Sequence, residues 1–220
     1  MRIIGTILFS IFIIFIFSCE TVEHHHVPKT ANEALKELME GNQRYVNNVP
    51  MHHDFIAEAH YSEKDQHPHT FVLSCIDSRV PPEIVFDQGI GNLFVARVAG
   101  NIEDPNILGS MEYAVKVKGT KLLVVLGHSN CGAVQGAIDN VNLGHLTQLT
   151  NQIKVAFSHH RTYPLPEHLS DETGRLNVLS TIDHILSSSK IIRELVHQKK
   201  IKIVGTFYDL HTGKVELLQS

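Results

Sequence analysis

The sequence contains no tryptophan, only three cysteines and no excess of positive charge. Of its 220 residues, 19 are lysine or arginine and 23 are aspartate or glutamate, so the formal net charge is −4. Without a basic surplus the chain has little with which to neutralise phosphates, and nucleic acid is not an expected partner. Three cysteines cannot build a disulfide framework. A hydrophobic content of 43% excludes a disordered chain, a collagen and a multi-span membrane protein.

Residues 1–18 have the pattern of a signal peptide. Arg2 precedes an apolar run of about 15 residues, which is shorter than the roughly 20 that a membrane-spanning helix needs. The run ends at Ser18-Cys19, which resembles a bacterial lipoprotein processing site with Cys19 as the acylated first residue of the mature chain. An uncleaved anchor and plain secretion remain open alternatives.

All three alternatives place the protein outside the cytoplasm. We expect a periplasmic lipoprotein that meets the membrane only through its N-terminal anchor. Residues 19–29, which include three adjacent histidines, are polar and are interpreted as a tether.

Residues 30–220 have the pattern of one α/β domain. Thr30 and Glu33 form a capping box that predicts a helix from residue 31, and Asp104-Pro105 predicts another helix start. Further helical periodicity covers 145–160 and 176–198, and a helix is expected from 131, whereas the polar, histidine-rich residues 48–69 are predicted to be irregular. Continuous apolar runs predict buried strands at 71–73, 93–96, 122–126 and 201–207, with a possible edge strand at 214–218. Such strands alternating with helices indicate a mostly parallel central sheet flanked by helices.

Two of the three cysteines follow predicted strands directly. Cys75 ends the first strand, and His128 and Cys131 follow the third. Ligand sites of open α/β sheets form beyond the carboxyl ends of the strands, so these residues can converge. Two thiolates and an imidazole suit zinc, with tetrahedral ligation and one position left. On these three residues alone, two inert buried cysteines and a hydrogen-bonded histidine are an equal alternative.

Asp77 and Arg79 lie beside the first of these candidate ligands. Asp77 could fill the fourth zinc position and close a structural site. Alternatively, Arg79 could hold Asp77 bidentately and leave that position to water. The second arrangement is catalytic, because zinc lowers the pKa of bound water toward 7 and produces hydroxide. Asp77 would then accept a hydrogen bond from that hydroxide and orient it.

The chain resembles the β-class carbonic anhydrases over essentially all of its mature domain. The matching segments are Ser74-Cys75-Ile76-Asp77-Ser78-Arg79-Val80-Pro81-Pro82-Glu83, Phe86-Asp87-Gln88-Gly89, Gly91-Asn92-Leu93-Phe94, Arg97-Val98-Ala99-Gly100-Asn101 and Gly127-His128, with Asn130-Cys131-Gly132-Ala133. The resemblance implies one zinc per subunit on Cys75, His128 and Cys131, with Asp77 and Arg79 as the catalytic dyad. It also implies reversible hydration of CO₂ to bicarbonate and a proton by zinc-bound hydroxide, in a homodimer or a larger dimer-based oligomer.

Two subtypes of this family differ in their pockets. In the open subtype a glutamine and a tyrosine line the substrate pocket from across the subunit interface. Gln66 and Tyr113 match these two residues, and the remaining pocket positions correspond to Phe94, Ala99 and Gly132. The regulated subtype binds bicarbonate at a second site with a tryptophan and a Val-Gly pair. This chain has no tryptophan, and Pro81 follows Val80, so the resemblance favours the open subtype.

Three other functions compete with CO₂ hydration. The same scaffold supports hydrolysis of a sulfur analogue, COS or CS₂. A non-catalytic, zinc-stabilised binding protein would result if Asp77 closed the site. A thiol redox protein is disfavoured, since the chain lacks a Cys-x-x-Cys motif.

Overall fold

The fold is built around a five-stranded sheet whose strands follow the predicted apolar runs. The computed structural model describes residues 27–52, 54–158 and 169–218. Within these ranges the strands are β1 (Thr70–Ser74), β2 (Leu93–Arg97), β3 (Leu122–His128), β4 (Lys202–Tyr208) and β5 (Val215–Leu218). Their order across the sheet is β2-β1-β3-β4-β5. The first four are parallel, and β5 runs antiparallel to β4 at one edge. The prediction of a mostly parallel α/β sheet is therefore confirmed.

Eight α-helices in the described ranges flank the sheet. They are α1 (Ala31–Val46), α2 (Phe55–Ser62), α3 (Pro82–Val85), α4 (Pro105–Tyr113), α5 (Gly132–Ile138), α6 (Gly144–Ser158), α7 (Leu169–Ser188) and α8 (Lys190–His197). A 3₁₀ turn at Ala99–Asn101 and a π turn at Ala114–Lys118 complete the regular structure.

The predicted caps occur where the sequence places them. The Thr30 hydroxyl accepts the Glu33 amide at 3.2 Å and begins α1. One carboxylate oxygen of Asp104 accepts the amides of Asn106 and Ile107 at the start of α4. Both caps satisfy amides that have no partner within their own helix.

Two element predictions were wrong. Residues 48–69 are not wholly irregular, because α2 lies there, with its Asp54 cap. Residues 176–198 are not one helix: α7 begins earlier, and Ser189 separates it from α8. The Ser189 hydroxyl accepts the amide of Ile192 at 3.1 Å, and a serine in this role starts a new helix.

The side chains of the parallel strands alternate between two apolar layers. On β1, Phe71 and Leu73 pack with α4, α7 and α8, whereas Val72 packs with α1 and α3. The burial of both faces explains why these strands are continuous apolar runs. A third, smaller apolar cluster lies around Cys75 and Cys131.

Residues 1–26 lie outside the described residues, and with them the predicted signal peptide, Cys19 and most of the tether. Among the helices of the described ranges, none combines the length and apolar character needed to cross a bilayer.

Candidate metal centre

The sheet brings Cys75, His128 and Cys131 together at its carboxyl edge. Cys75 directly follows β1, and His128 is the last residue of β3. The two strands are adjacent and parallel, with Ser74 paired to Leu126, so both ends reach the same side. Cys131 follows within one turn and is the N-cap of α5. The sequence analysis placed His128 after the third strand, but its pairing with Tyr208 keeps it within β3.

The geometry of this cluster suits a tetrahedral metal. One ligand atom from each residue lies within 4.8 Å of the others, and all three residues are buried. The two sulfur atoms are 3.9 Å apart. Two zinc–sulfur bonds of about 2.3 Å at a tetrahedral angle would place sulfur atoms about 3.8 Å apart. The cluster therefore fits zinc without rearrangement of the two cysteines.

His128 is oriented as a ligand through its Nε2 atom. Its Nδ1–H donates to the carbonyl oxygen of Ser129 at 2.9 Å, which leaves the lone pair on Nε2. That atom is buried and has no hydrogen-bond partner among the described residues. A buried polar atom without a partner is costly, and a metal ion in the cluster would satisfy it.

The two thiols shift each other's pKa in opposite directions. A hydrogen bond from Cys131, together with His128 and the amide of Gly100, holds the pKa of Cys75 far below its ordinary value. The same hydrogen bond to Cys75, reinforced by burial, raises the pKa of Cys131. One sulfur is therefore prepared as a thiolate, which is the form that binds metal.

Gly100 places a backbone donor on Cys75. Its N–H lies 3.4 Å from the Cys75 sulfur. Its φ of 71° belongs to the left-handed region, and a Cβ there would lie 2.5 Å from Cδ1 of Ile153, so glycine is required. The amide of Asn177, which is buried on α7, donates to the Gly100 carbonyl at 2.7 Å.

Asp77 and Arg79 form a bidentate ion pair beside the cluster. Nε and Nη2 of Arg79 donate to the two carboxylate oxygens of Asp77 at 2.9 and 2.7 Å. The Arg79 backbone N–H adds a third donor at 2.9 Å. These hydrogen bonds, led by that from the guanidinium, lower the pKa of Asp77 strongly. Asp77 is therefore a carboxylate throughout the neutral range and an acceptor only.

The other predicted site residues fall into two groups. Ala99 begins the 3₁₀ turn, and Gly132 opens α5 beside Cys131. A Cβ added to the exposed Gly132 would meet nothing within 4 Å. Gly132 directly follows Cys131, and Ala99 directly precedes Gly100, whose amide reaches the Cys75 sulfur. Both positions therefore border the metal cluster.

The second group lies at the outer edge of the sheet. Phe94 and Tyr113 stack edge to face at 6.2 Å and line a cavity of about 630 Å³ along β2. Gln66 is in an exposed loop whose Asp65 pairs with Lys118 at 2.8 Å. Tyr113 is 46% exposed.

Three polar residues at the centre have contacts that the sequence analysis missed. Arg97 donates to the carbonyl oxygens of Cys75 and Asp77 and so holds that loop. Asn177 supports Gly100, and Asp171 accepts the backbone N–H of Asn130 at 2.9 Å. Of the three, only Arg97 lies within a segment that matches the family motifs, so only Arg97 could have been singled out from the sequence.

Comparison with known proteins gives one consistent family. A family model described as carbonic anhydrase matches residues 70–215. A carbonic anhydrase of Mycolicibacterium smegmatis is 37% identical over 190 residues, covering 84% of this chain and 91% of that protein. Carbonic anhydrase 2 of Mycobacterium tuberculosis is 35% identical with the same coverage of both chains. Among solved structures, a tetrameric β-carbonic anhydrase of Sordaria macrospora superposes with a TM-score of 0.66 at 26% identity, covering 85% of this chain and 94% of that one.

Proposed function

The chain belongs to the β-carbonic anhydrase family, and we propose that it catalyses the reversible hydration of CO₂ to bicarbonate and a proton with one zinc ion per subunit. Cys75, His128 and Cys131 would hold the zinc. Asp77 and Arg79 would form the catalytic dyad. The observation that carries the proposal is the position of Asp77. It lies beside the ligand cluster, but both of its carboxylate oxygens accept hydrogen bonds from Arg79.

Each residue of the dyad has a defined task in this mechanism. Cys75, His128 and Cys131 would hold a zinc ion, which would supply a nucleophile near neutral pH by lowering the pKa of a coordinated water. Asp77, ionised at that pH, would accept a hydrogen bond from the attacking water and so orient the remaining lone pair of that water toward CO₂. Arg79 donates hydrogen bonds to both carboxylate oxygens of Asp77. Asp77 thus stays an acceptor and does not become a fourth metal ligand.

Three features of the chain support this assignment over a closed structural zinc site. The carboxylate is 15% exposed, so water can reach it. Arg79 offers a planar fork that matches both oxygens, and such pairs are among the strongest in proteins. Arg97 donates to the backbone carbonyls of Cys75 and of Asp77 itself and so holds the segment that carries this carboxylate.

The decisive experiment is stopped-flow CO₂ hydration by the purified mature protein, with zinc measured on the same sample. We expect one zinc per chain and a hydration rate that disappears on chelation and returns with zinc. Full zinc occupancy without hydration from pH 6 to 9 would instead identify a zinc-stabilised binding protein. Faster turnover of COS or CS₂ than of CO₂ would identify the sulfur-analogue hydrolase.

The substrate pocket is proposed to need two subunits. Ala99 and Gly132, which border the metal cluster, would line it from one chain, and Gln66, Tyr113 and the adjoining Phe94 would reach it from a partner. The exposure of Tyr113 and Gln66, away from the metal cluster of their own chain, supports a homodimer or a larger dimer-based assembly. The Sordaria macrospora relative is described as tetrameric.

Mixed subunits test this arrangement directly. Asp77→Asn and Tyr113→Ala chains are each expected to be poorly active alone. If Tyr113 serves the partner's site, a hybrid dimer contains one site with both wild-type residues, and mixing restores activity. If Tyr113 serves its own site, no hybrid site is intact and mixing restores nothing. Sedimentation of the mixture would verify that hybrids form.

The N-terminal segment is proposed to make the protein a periplasmic lipoprotein acylated at Cys19. The charged start and the short apolar run in residues 1–18 support this placement. Two or three acyl chains would anchor the domain stably, whereas one chain binds only marginally. Mass spectrometry of the membrane fraction tests it, with Cys19→Ala as the control. An intact Met1, or equal membrane retention of a processed Cys19→Ala chain, would contradict it.

A further inference from the structure

Asn130 lies between two metal-centre residues and is held from both sides. Its backbone N–H donates to a carboxylate oxygen of Asp171 on α7 at 2.9 Å. Its carbonyl oxygen accepts Nη2 of Arg79 at 3.4 Å. Its φ of 53° is in the left-handed region, which asparagine tolerates better than most residues. The position of the Asn130 carbonyl therefore depends on contacts outside the turn.

The same Nη2 atom of Arg79 also donates to Asp77, at 2.7 Å. A continuous chain of hydrogen bonds thus leads from Asp171 through the backbone of Asn130 and the guanidinium of Arg79 to Asp77. Because one nitrogen serves both acceptors, a shift of the Asn130 carbonyl changes the geometry of the guanidinium on the carboxylate.

The other half of the turn has separate anchors. The Ser129 N–H donates to the carbonyl of Tyr208 at 2.9 Å, and its hydroxyl accepts the Leu210 amide at 2.9 Å. These bonds attach the His128 side of the turn to β4 and the loop that follows it. On the Asn130 side, Asp171 and Arg79 are the contacts that the described residues provide.

The helix that carries Asp171 is packed against the sheet. Val178, Ile182 and Ile185 of α7 are buried in the layer against β3 and β4. Asn177, on the same helix, fixes Gly100 and thereby the amide that reaches the Cys75 sulfur. One packed helix therefore supports both loops of the metal centre.

We propose that Asp171 is a positioning residue of this enzyme: it fixes the Asn130 carbonyl and thereby keeps Arg79 bidentate on Asp77. Asp171 has no contact with the dyad itself, and it acts through the backbone of the turn. This inference rests on the proposed role of Asp77 and Arg79, and it adds a third charged residue that the family motifs did not indicate.

The test compares Asp171→Ala and Asp171→Asn with Glu172→Ala, a matched control at the exposed neighbouring position of the same helix. Asp171→Ala should keep its zinc and KM but lower kcat about 5- to 50-fold, because small displacements of catalytic groups are costly. Asp171→Asn should recover activity to within about twofold of wild type, since an amide oxygen still accepts the Asn130 N–H. Glu172→Ala should behave as wild type.

Two further measurements separate positioning from general damage. Adding Asp171→Ala to Asp77→Asn should cause no additional loss of kcat, as residues acting through one group are not additive. The visible spectrum of the cobalt-substituted protein should change in Asp171→Ala, where Asp77 is freed toward the metal, and stay unchanged in Asp171→Asn.

Three results would overturn the inference: wild-type kcat in Asp171→Ala, equal impairment of Asp171→Asn and Asp171→Ala, or an undiminished loss in the Asp77→Asn background. Failure of the underlying function would look different. Wild-type protein without CO₂ hydration, or Asp77→Asn with wild-type activity, would remove the dyad itself whatever Asp171 does.

Discussion

Oδ2 of Asp77 lies 3.9 Å from Nε2 of His128, the buried atom that faces the metal centre, while Nη2 of Arg79 donates to the same oxygen at 2.7 Å. The carboxylate is thus close enough to the cluster to join it and is held off by one guanidinium. If Asp77 joined the cluster as a fourth ligand, the metal site would be closed; if Arg79 keeps Asp77 away, the fourth position stays open and the site can be catalytic.

Arg79→Ala should release Asp77 toward the metal. We expect full zinc content but a fall in kcat of at least about tenfold, on the scale of a lost electrostatic or orienting group. Arg79→Lys should remain impaired, because a single ammonium cannot hold both oxygens. The check is a crystal structure of Arg79→Ala: a metal whose fourth position still belongs to water would contradict this route.

Asp77→Asn should retain zinc and lose CO₂ hydration by about 10²- to 10⁴-fold, the range typical of proton-accepting groups. Because the hydrogen bonds from Arg79 outweigh the effect of burial and keep Asp77 ionised, the loss should persist from pH 6 to 9. Stopped-flow rates and zinc content on one preparation measure both effects. Unchanged activity across that range would show that the dyad has no catalytic role.

Cys75→Ser should lose most of its zinc and nearly all activity, because the alkoxide needed for strong ligation is far less available than a thiolate. His128→Ala should do the same. Ser78→Ala, a nearby exposed change in the same loop, is the matched control and should keep one zinc per chain. Elemental analysis after dialysis decides the matter, and full occupancy in Cys75→Ser would refute the ligand assignment.

Glu103 makes the folded state sensitive to pH. Burial raises the pKa of its carboxyl, and Oε2 has no hydrogen-bond partner within the described ranges. Oε1 accepts the Gln152 amide at 3.3 Å and lies 3.4 Å from Nδ1 of His184. The folded state therefore binds a proton that the unfolded state releases near pH 4, at the ordinary carboxyl pKa.

Stability should accordingly fall as pH rises from about 4 through the raised pKa of Glu103. Glu103→Gln should remove this decline and be more stable than wild type at neutral and alkaline pH. Urea unfolding of both proteins from pH 4 to 9 measures the difference. Glu172→Gln, at an exposed position, should leave the profile unchanged. Parallel profiles for wild type and Glu103→Gln would disprove the assignment.

Bicarbonate should inhibit the enzyme without cooperativity. The regulated subtype needs a tryptophan and a Val-Gly pair, but this chain has no tryptophan and has Pro81 after Val80. In the structure Pro81 is the residue that precedes α3. Initial rates against bicarbonate concentration should follow a hyperbolic inhibition curve. A sigmoidal response, or bicarbonate bound away from the metal, would overturn the subtype.

The sequence by itself determined the sheet and the candidate ligands. Apolar runs located the strands, and in a parallel sheet the residues that follow neighbouring strands must meet at one edge. Cys75 and His128 could therefore be paired from their local positions alone. The Thr30 and Asp104 caps were equally readable, since a cap depends on residues within one turn.

Tertiary structure alone decided the support around those ligands. Asp171 lies 41 residues from Asn130, and Asn177 lies 77 residues from Gly100. Both contacts exist because α7 packs across β3 and β4, and nothing local to either residue indicates a partner. The break at Ser189 and the helix α2 were missed for a different reason. Helices α2 and α8 are each eight residues long and begin at local caps, Asp54 and Ser189, and so short a helix has little periodicity by which the sequence can reveal it.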